Sequence, residues 1–277
     1  MTQTSPINIA LQGLGAAGKA RQRALQDLPG FHLAGIISRR PEMGTLRLEE
    51  ASQDPKIHAL AISLENTAHA SAVRQALEAG KHVLCDYPLA LHSKEARELY
   101  RLAKTLNRIL HVEHIGLLTG EHLTLKKEVE AKGPLLKGEY LFQGGWNEKI
   151  ADLNRTGPYP IVAFSRLLQV ADLFGPFVIK NYEIKTPENG FYLHLHLRFA
   201  GGGILGFREE RMTGLPRRRS LSAQCQQGSL QWKAGLGSGQ LFAQDLEWFR
   251  DRVQKGKSCY YDEDRMLSTL EELEKLF

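Results

Sequence analysis

Cysteine is scarce in this chain: Cys85, Cys225 and Cys259 are the three among 277 residues, and they lie far apart with no C-x-x-C pair. That spacing indicates neither a disulfide framework nor a zinc ribbon, and reduced, partly buried thiols are expected. No apolar run approaches the length of a membrane span, and the first six residues are polar rather than signal-like, so the expected compartment is the cytoplasm, with no membrane partner. Internal repeats and low-complexity tracts are missing as well. The basic excess is modest, a formal net charge of +5. Its densest cluster, Arg217-Arg218-Arg219, lacks the long basic stripe with interleaved aromatics of a nucleic-acid binder, and an anionic small molecule fits better. The 42% hydrophobic and 24% charged content is that of an ordinary globular chain, long enough for two domains.

The richest local signal is at the start. An apolar run, Ile7 to Leu11, leads into Gly13-Leu14-Gly15-Ala16-Ala17-Gly18, and a second run, Leu33 to Ile37, ends in Ser38-Arg39-Arg40. A strand, a G-x-G-x-x-G turn opening a helix and a returning strand make the first βαβ unit of a dinucleotide-binding domain. Gly13 permits the tight turn, Gly15 lets the backbone approach a pyrophosphate, and Gly18 lets the helix lie close on the sheet. No acidic residue closes the second strand to bind the ribose 2′-hydroxyl of NAD. Ser38, Arg39 and Arg40 suit a 2′-phosphate instead, so NADPH/NADP is the expected cofactor, with NADH weaker. Strand and helix continue to alternate through Ile57–Ser63, Asn66–Ala79, His82–Cys85, a helix from Ser93 to about Leu106, and Ile109–Val112, the pattern of a doubly wound parallel sheet.

From Leu118 the rhythm changes. A helix with Leu118, His122, Leu125 and Val129 on one face precedes strand-like segments at 137–142, 177–185, 191–199, 203–208 and 220–225, interrupted by a helix over 161–174. Consecutive strands with hairpin-type links predict a mainly antiparallel sheet, hence an α/β domain at 1–117 followed by an α+β domain at 118–277. The alternation from Phe191 to Phe199 puts Tyr192, His194, His196 and Arg198 on one polar face. Two histidines without a third ligand do not make a metal site. Two amphipathic helices close the sequence, with Phe242, Leu246, Phe249 and Val253, then Met266, Leu270, Leu273 and Phe277; they are expected to be core-packing elements that dock back on the first domain.

The stretch Lys81 to Pro88, preceded by Asn66 and His69, resembles the Gfo/Idh/MocA oxidoreductases. In that family a strand ends in Glu-Lys-Pro, the lysine assists proton transfer, and an upstream Thr-Pro-Asn-x-x-His lines the nicotinamide. Here Leu64-Glu65 replace Thr-Pro, Asp86 stands for the glutamate, and Tyr87 occupies the lysine position. The Asp and His pair that sugar and polyol members carry on a helix of the second domain is replaced by Ser165-Arg166. A chain lacking both lysine and histidine has lost the groups that take a proton from a hydroxyl, so sugar oxidation is not expected.

The order of ten short motifs resembles the biliverdin reductase branch of the family. They run from the glycine fingerprint and Ser38-Arg39-Arg40 through Ala79 to Leu84, Tyr87-Pro88, Glu113 to Leu118, Leu125 to Val129, Leu135 to Gly138, Ser165 to Leu167, Leu173 to Gly175 and Gly228 to Leu230. The resemblance implies NADPH-dependent reduction of the central methine bridge of biliverdin, a flat molecule with two propionates. It implies a cofactor site that adds Ser63, Leu64, Glu65, Asn66, His69, Asp86 and Tyr87 to the fingerprint, and a substrate side with Arg166, Lys126, Lys127, Arg208 and His114. Arg166 keeps its proton at any ordinary pH, so it reads as a propionate anchor or electrostatic stabiliser, or else as a structural partner of Asp172 or Glu148. Tyr87, or a water it orients, is the proton source; the alternative is a stacking platform for nicotinamide or bilin. Two other readings stand beside this one, a reductase of the same fold with a different conjugated or imine substrate and a non-catalytic NADP sensor. A monomer is expected.

Overall fold

A computed structural model describes residues 5–233 and 240–277, which divide into two compact units, 5–115 with 240–262 and 116–233 with 263–277. In the first, β1 (Ile7–Gln12), α1 (Ala16–Asp27), β2 (Phe31–Ile37), the short α2 (Leu48–Gln53), β3 (Ala59–Ile62), α3 (Asn66–Glu78), β4 (His82–Cys85), α4 (Ser93–Thr105) and β5 (Leu110–Val112) follow in order. All strands are parallel, in the order β2-β1-β3-β4-β5. Strands buried on both faces read as unbroken apolar runs, as Ala59–Ile62 does with every residue fully buried. The order reverses between β1 and β3. A crevice therefore opens beyond their carboxyl ends, where such sheets bind ligands.

The second unit holds α5 (Gly120–Lys132), β6 (Leu135–Gly145), the one-turn helices α6 (Glu148–Ala151) and α7 (Leu153–Thr156), α8 (Phe164–Phe174), β7 (Phe177–Lys185), β8 (Gly190–Phe199), β9 (Ile204–Met212), β10 (Arg218–Cys225) and β11 (Gly228–Lys233). Its sheet order is β11-β10-β6-β9-β8-β7, antiparallel throughout except for the β6–β9 pair. The sheet is thus mixed and mostly antiparallel, as the hairpin-type links predict. Along β8 the odd residues Phe191 to Phe199 are buried and the even ones partly or fully exposed, so one face is covered and the other open.

Local details differ from the expectation or add to it. The helix expected over 161–174 is divided: a 3-10 turn, Tyr159–Ala163, leads into α8 at Phe164. Ser93 is the first helical residue of its helix rather than its cap. β11 escaped notice because its six residues carry Leu230 as the one buried side chain. Finally α9 (Leu241–Lys255) belongs to the first unit, where Leu246 and Phe249 join Ile7, Ile9, Leu25 and Leu84 in one core cluster, and α10 (Glu263–Glu274) belongs to the second. Burying a side chain such as Phe249 contributes about 2–3 kcal/mol.

Candidate active site

The glycine turn separates what the fold needs from what a ligand needs. Gly13 has φ +97°, and a Cβ there would lie 2.2 Å from the Ser63 carbonyl oxygen. A Cβ on Gly18 would lie 2.2 Å from the Gly13 carbonyl oxygen, so the protein's own packing demands glycine at both. Gly15 differs: its backbone is ordinary, with φ −66°, and a Cβ would meet nothing within 4 Å. Glycine at 15 leaves space that only something outside the chain can use. It stands at the N-terminus of α1, beside Leu14 and the first helical residues Ala16 and Ala17, with no capping side chain over the helix N–H groups. These residues fit the pyrophosphate of a dinucleotide.

Beyond β2, Ser38 Oγ accepts the Arg40 N–H at 3.1 Å, and the Arg39 guanidinium, 81% exposed, lies 2.5 Å from a Glu65 carboxylate oxygen. The arginine suited to a 2′-phosphate is thus shared with a carboxylate from the β3–α3 loop. Asn66 opens α3. His69 is buried, with Nδ1 2.7 Å from the Pro88 carbonyl and Nε2 3.1 Å from the Leu64 carbonyl. Its ring fastens the loop after β3 to the loop after β4.

A buried charge cluster lies under these strand ends, and the sequence reading missed it. Arg21 of α1 is fully buried, donates to Ser63 Oγ at 2.6 Å and to Asp86 Oδ1 at 2.5 Å, and lies 3.9 Å from Asp245 of α9. Asp245 in turn sits 2.8 Å from His111 Nε2 and accepts the Tyr260 hydroxyl at 2.8 Å. Burial works against charge on His111, yet the Asp245 carboxylate raises its pKa to about 9. Burial, with Asp245 and Asp86 adding their negative potential, pushes Glu113 up to about 8, so it is neutral at pH 7. Two cations, Arg21 and His111, then balance Asp86 and Asp245. The signal was available: Arg21 falls on the inner face of α1 with Gly18 and Leu25, and Asp245 beside Leu246 and Phe249 on that of α9.

This cluster fixes Asp86 and hence the next residue. Tyr87, joined to Pro88 by a cis peptide bond, stacks its ring on His114 at 6.0 Å between centroids and 29° between planes. His114 is itself buried, edge-on to Tyr261, and burial pushes its pKa down to about 3. An uncharged imidazole backs the tyrosine and offers no cation to a carboxylate.

In the second unit, Arg166 of α8 pairs with neither Asp172 nor Glu148. Its Nε and Nη2 donate to the two oxygens of the fully buried Glu209 on β9, which also accepts from Arg211 at 2.7 Å. Arg166, Arg211 and Arg217 surround the Phe142 ring, their guanidinium carbons 4.4, 4.9 and 5.8 Å from its centroid. Glu209 takes two of these guanidiniums, and all three lie against an apolar ring, an arrangement of cations over an aromatic face. The other expected cations lie elsewhere. Lys126 is held by Asp172, which also takes His122 and Arg265 and whose carboxyl, despite burial, is kept at about 2 by the His122 and Lys126 bonds. Lys127 is exposed on α5. Arg208 contacts Glu139 at 3.4 Å and, one residue from Glu209 on the same strand, projects from the opposite face of the sheet. Arg208 and Arg166 therefore cannot grip one end of the same small molecule. Arg211 was missed because the register of β9 against β6 brings it to Phe142, and Arg217, just before β10, stood out only as part of a basic cluster.

The model of the oxidoreductase family with an NAD-binding Rossmann fold, Gfo/Idh/MocA, matches residues 7–114. Biliverdin reductase A of Mus musculus is 33% identical over 259 residues, 89% of this chain and 86% of that protein, and the Homo sapiens protein of the same name is 33% identical over 262 residues, 90% and 86%. The chain belongs to the Gfo/Idh/MocA oxidoreductase family. As a member, it is an NAD(P)-dependent oxidoreductase. Its fold matches a biliverdin reductase of Synechocystis sp. PCC 6803 solved with biliverdin and NADP+, at TM-score 0.84, 23% identity and 98% coverage of both chains. It also matches a levoglucosan dehydrogenase solved with NADH and levoglucosan, at TM-score 0.81 and 19% identity over 97% of this chain and 95% of that one. Among the described residues no helix is long and apolar enough to cross a membrane, and no group of three metal-ligating side chains occurs.

Proposed function

We propose that this oxidoreductase is an NADPH-dependent biliverdin reductase, adding a hydride to the central methine carbon of biliverdin and a proton to a pyrrole nitrogen to give bilirubin. The observation that carries the reading is the set of guanidiniums gathered over Phe142, with Arg166 locked by two bonds to Glu209. A flat, apolar tetrapyrrole with two propionates needs that pairing of apolar surface with fixed cations, and bonds from guanidinium to carboxylate contribute about 1.5–3 kcal/mol each. The 33% identity to two biliverdin reductases, spread over nearly the whole chain, supports the same substrate.

When bound, the reduced nicotinamide supplies the hydride. The residues assigned to hold the dinucleotide are the 13–18 turn, Ser38, Arg39, Arg40 and the segment from Ser63 to His69, with Arg39 and Arg40 on the 2′-phosphate. Asp86, anchored by Arg21, fixes the start of the Tyr87 loop. Tyr87 orients the water that delivers the proton, and Arg166 stabilises charge without giving up its own proton. Mixing the protein with biliverdin and NADPH tests this: the pigment turns from green to yellow. An absorbance unchanged from the enzyme-free control overturns the reading, and NADP binding without turnover of any bilin assigns the chain to the sensor alternative.

A further inference from the structure

The open face of the six-stranded sheet carries a groove of about 770 Å³, within the size range of small-molecule sites. The register lines up its floor: Val178, Arg198, Ile204, Lys137, Gln224 and Ser229 stand opposite one another from β7 across to β11. Arg198 and Lys137 lie two strands apart, about 9–10 Å, with Ile204 between them and 51% exposed. In the next row His196 faces Gly206, and Gly206 faces Glu139. Without a side chain at 206 the floor is open, and the Glu139 carboxylate lies over it, 3.4 Å from Arg208. The one carboxylate of the groove is therefore taken. Lys137, Lys180 and Arg198 line it with no carboxylate within ion-pair distance among the described residues, whereas Arg166, Arg208, Arg211 and Arg265 of the same unit are each paired.

From this arrangement we infer a second ligand site on the open sheet face, for an apolar-bodied dicarboxylate whose acid groups meet Arg198 and Lys137 across Ile204. The site is distinct from the Phe142 cluster, which occupies the covered face of the same sheet. Charge complementarity selects an anion and disfavours a second copy of the chain. A twofold pairing over this face would bring the Arg198, Lys137 and Lys180 charges of two copies into one interface. The choice of probe rests on the proposed activity, because the bile pigments are dicarboxylates of this kind.

Equilibrium dialysis of the full chain against biliverdin, without nucleotide, tests the site. Uptake of a second equivalent is expected, and the double variant Lys137→Glu/Arg198→Glu should lose that equivalent, binding it at least about tenfold more weakly, while keeping the first together with turnover at limiting pigment. The dimethyl ester of biliverdin should leave the face empty. A double variant that loses no equivalent, or an equivalent at the face filled equally by the ester, overturns the site. A dimer boundary in sedimentation that the double variant abolishes assigns the face to a second copy and overturns it too. Should the face bind biliverdin while NADPH never reduces it, the proposed activity fails and the site stands.

Discussion

Arg166 and Glu209 hold each other through two parallel hydrogen bonds, Nε to Oε2 at 2.7 Å and Nη2 to Oε1 at 2.9 Å, and Arg211 shares the same carboxylate. The guanidinium plane is thereby fixed before any substrate arrives, so little side-chain entropy remains to be lost on binding.

Glu209→Ala leaves two guanidiniums facing each other in a buried place. A loss of about 3–5 kcal/mol in unfolding free energy is expected from urea titration. Arg166→Lys keeps the charge but not the fork, and steady-state kinetics should show a higher KM for biliverdin with NADPH affinity unchanged; an equal loss on both sides contradicts the anchoring role.

The Arg39–Glu65 pair makes cofactor choice testable in both directions. Arg39→Ala with Arg40→Ala should weaken NADPH by about tenfold or more and NADH much less. Glu65→Gln should strengthen NADPH by releasing Arg39. Fluorescence titration reads both, and equal losses for the two nucleotides contradict the 2′-phosphate assignment.

Tyr87→Phe keeps the ring over His114 and removes the hydroxyl. A fall in kcat of about tenfold is expected, with cofactor affinity unchanged. A kcat equal to that of the unaltered protein makes Tyr87 a stacking platform only.

Two buried histidines set opposite limbs of the stability profile. His111, raised to about 9, holds a proton that the unfolded chain releases near 6.5, so its contribution is full below about pH 6.5 and is lost as pH rises towards 9. His114, lowered to about 3, resists a proton that the unfolded chain accepts, so stability is lost as pH falls from about 6.5 towards 3. Thermal unfolding across pH should show both slopes. His111→Gln should flatten the alkaline one and His114→Gln the acid one.

The parallel sheet and the glycine turn were legible because local rules write them: apolar runs bounded by turns, and a residue with φ +97° pressed against a neighbouring carbonyl. The mostly antiparallel sheet was legible from the strict alternation along β8. The cations of the second unit were not, since residue type says nothing about which face of a strand looks at which helix. Arg208 and Glu209 are adjacent in sequence and on opposite sides of the sheet. The Arg21–Asp86 and His111–Asp245 pairs join residues 65 and 134 positions apart, beyond any periodicity.

The second of those pairs has a bearing on how the polypeptide can be divided. His111 and Arg21 receive the Asp245 carboxylate from a helix that follows the whole second sheet. A fragment ending after β5 would leave Arg21 and His111 without the Asp245 carboxylate and the Ile7 to Leu84 cluster without Leu246 and Phe249. The dinucleotide half is consequently finished only when α9, synthesised after the whole second sheet, brings Asp245, Leu246 and Phe249 into place.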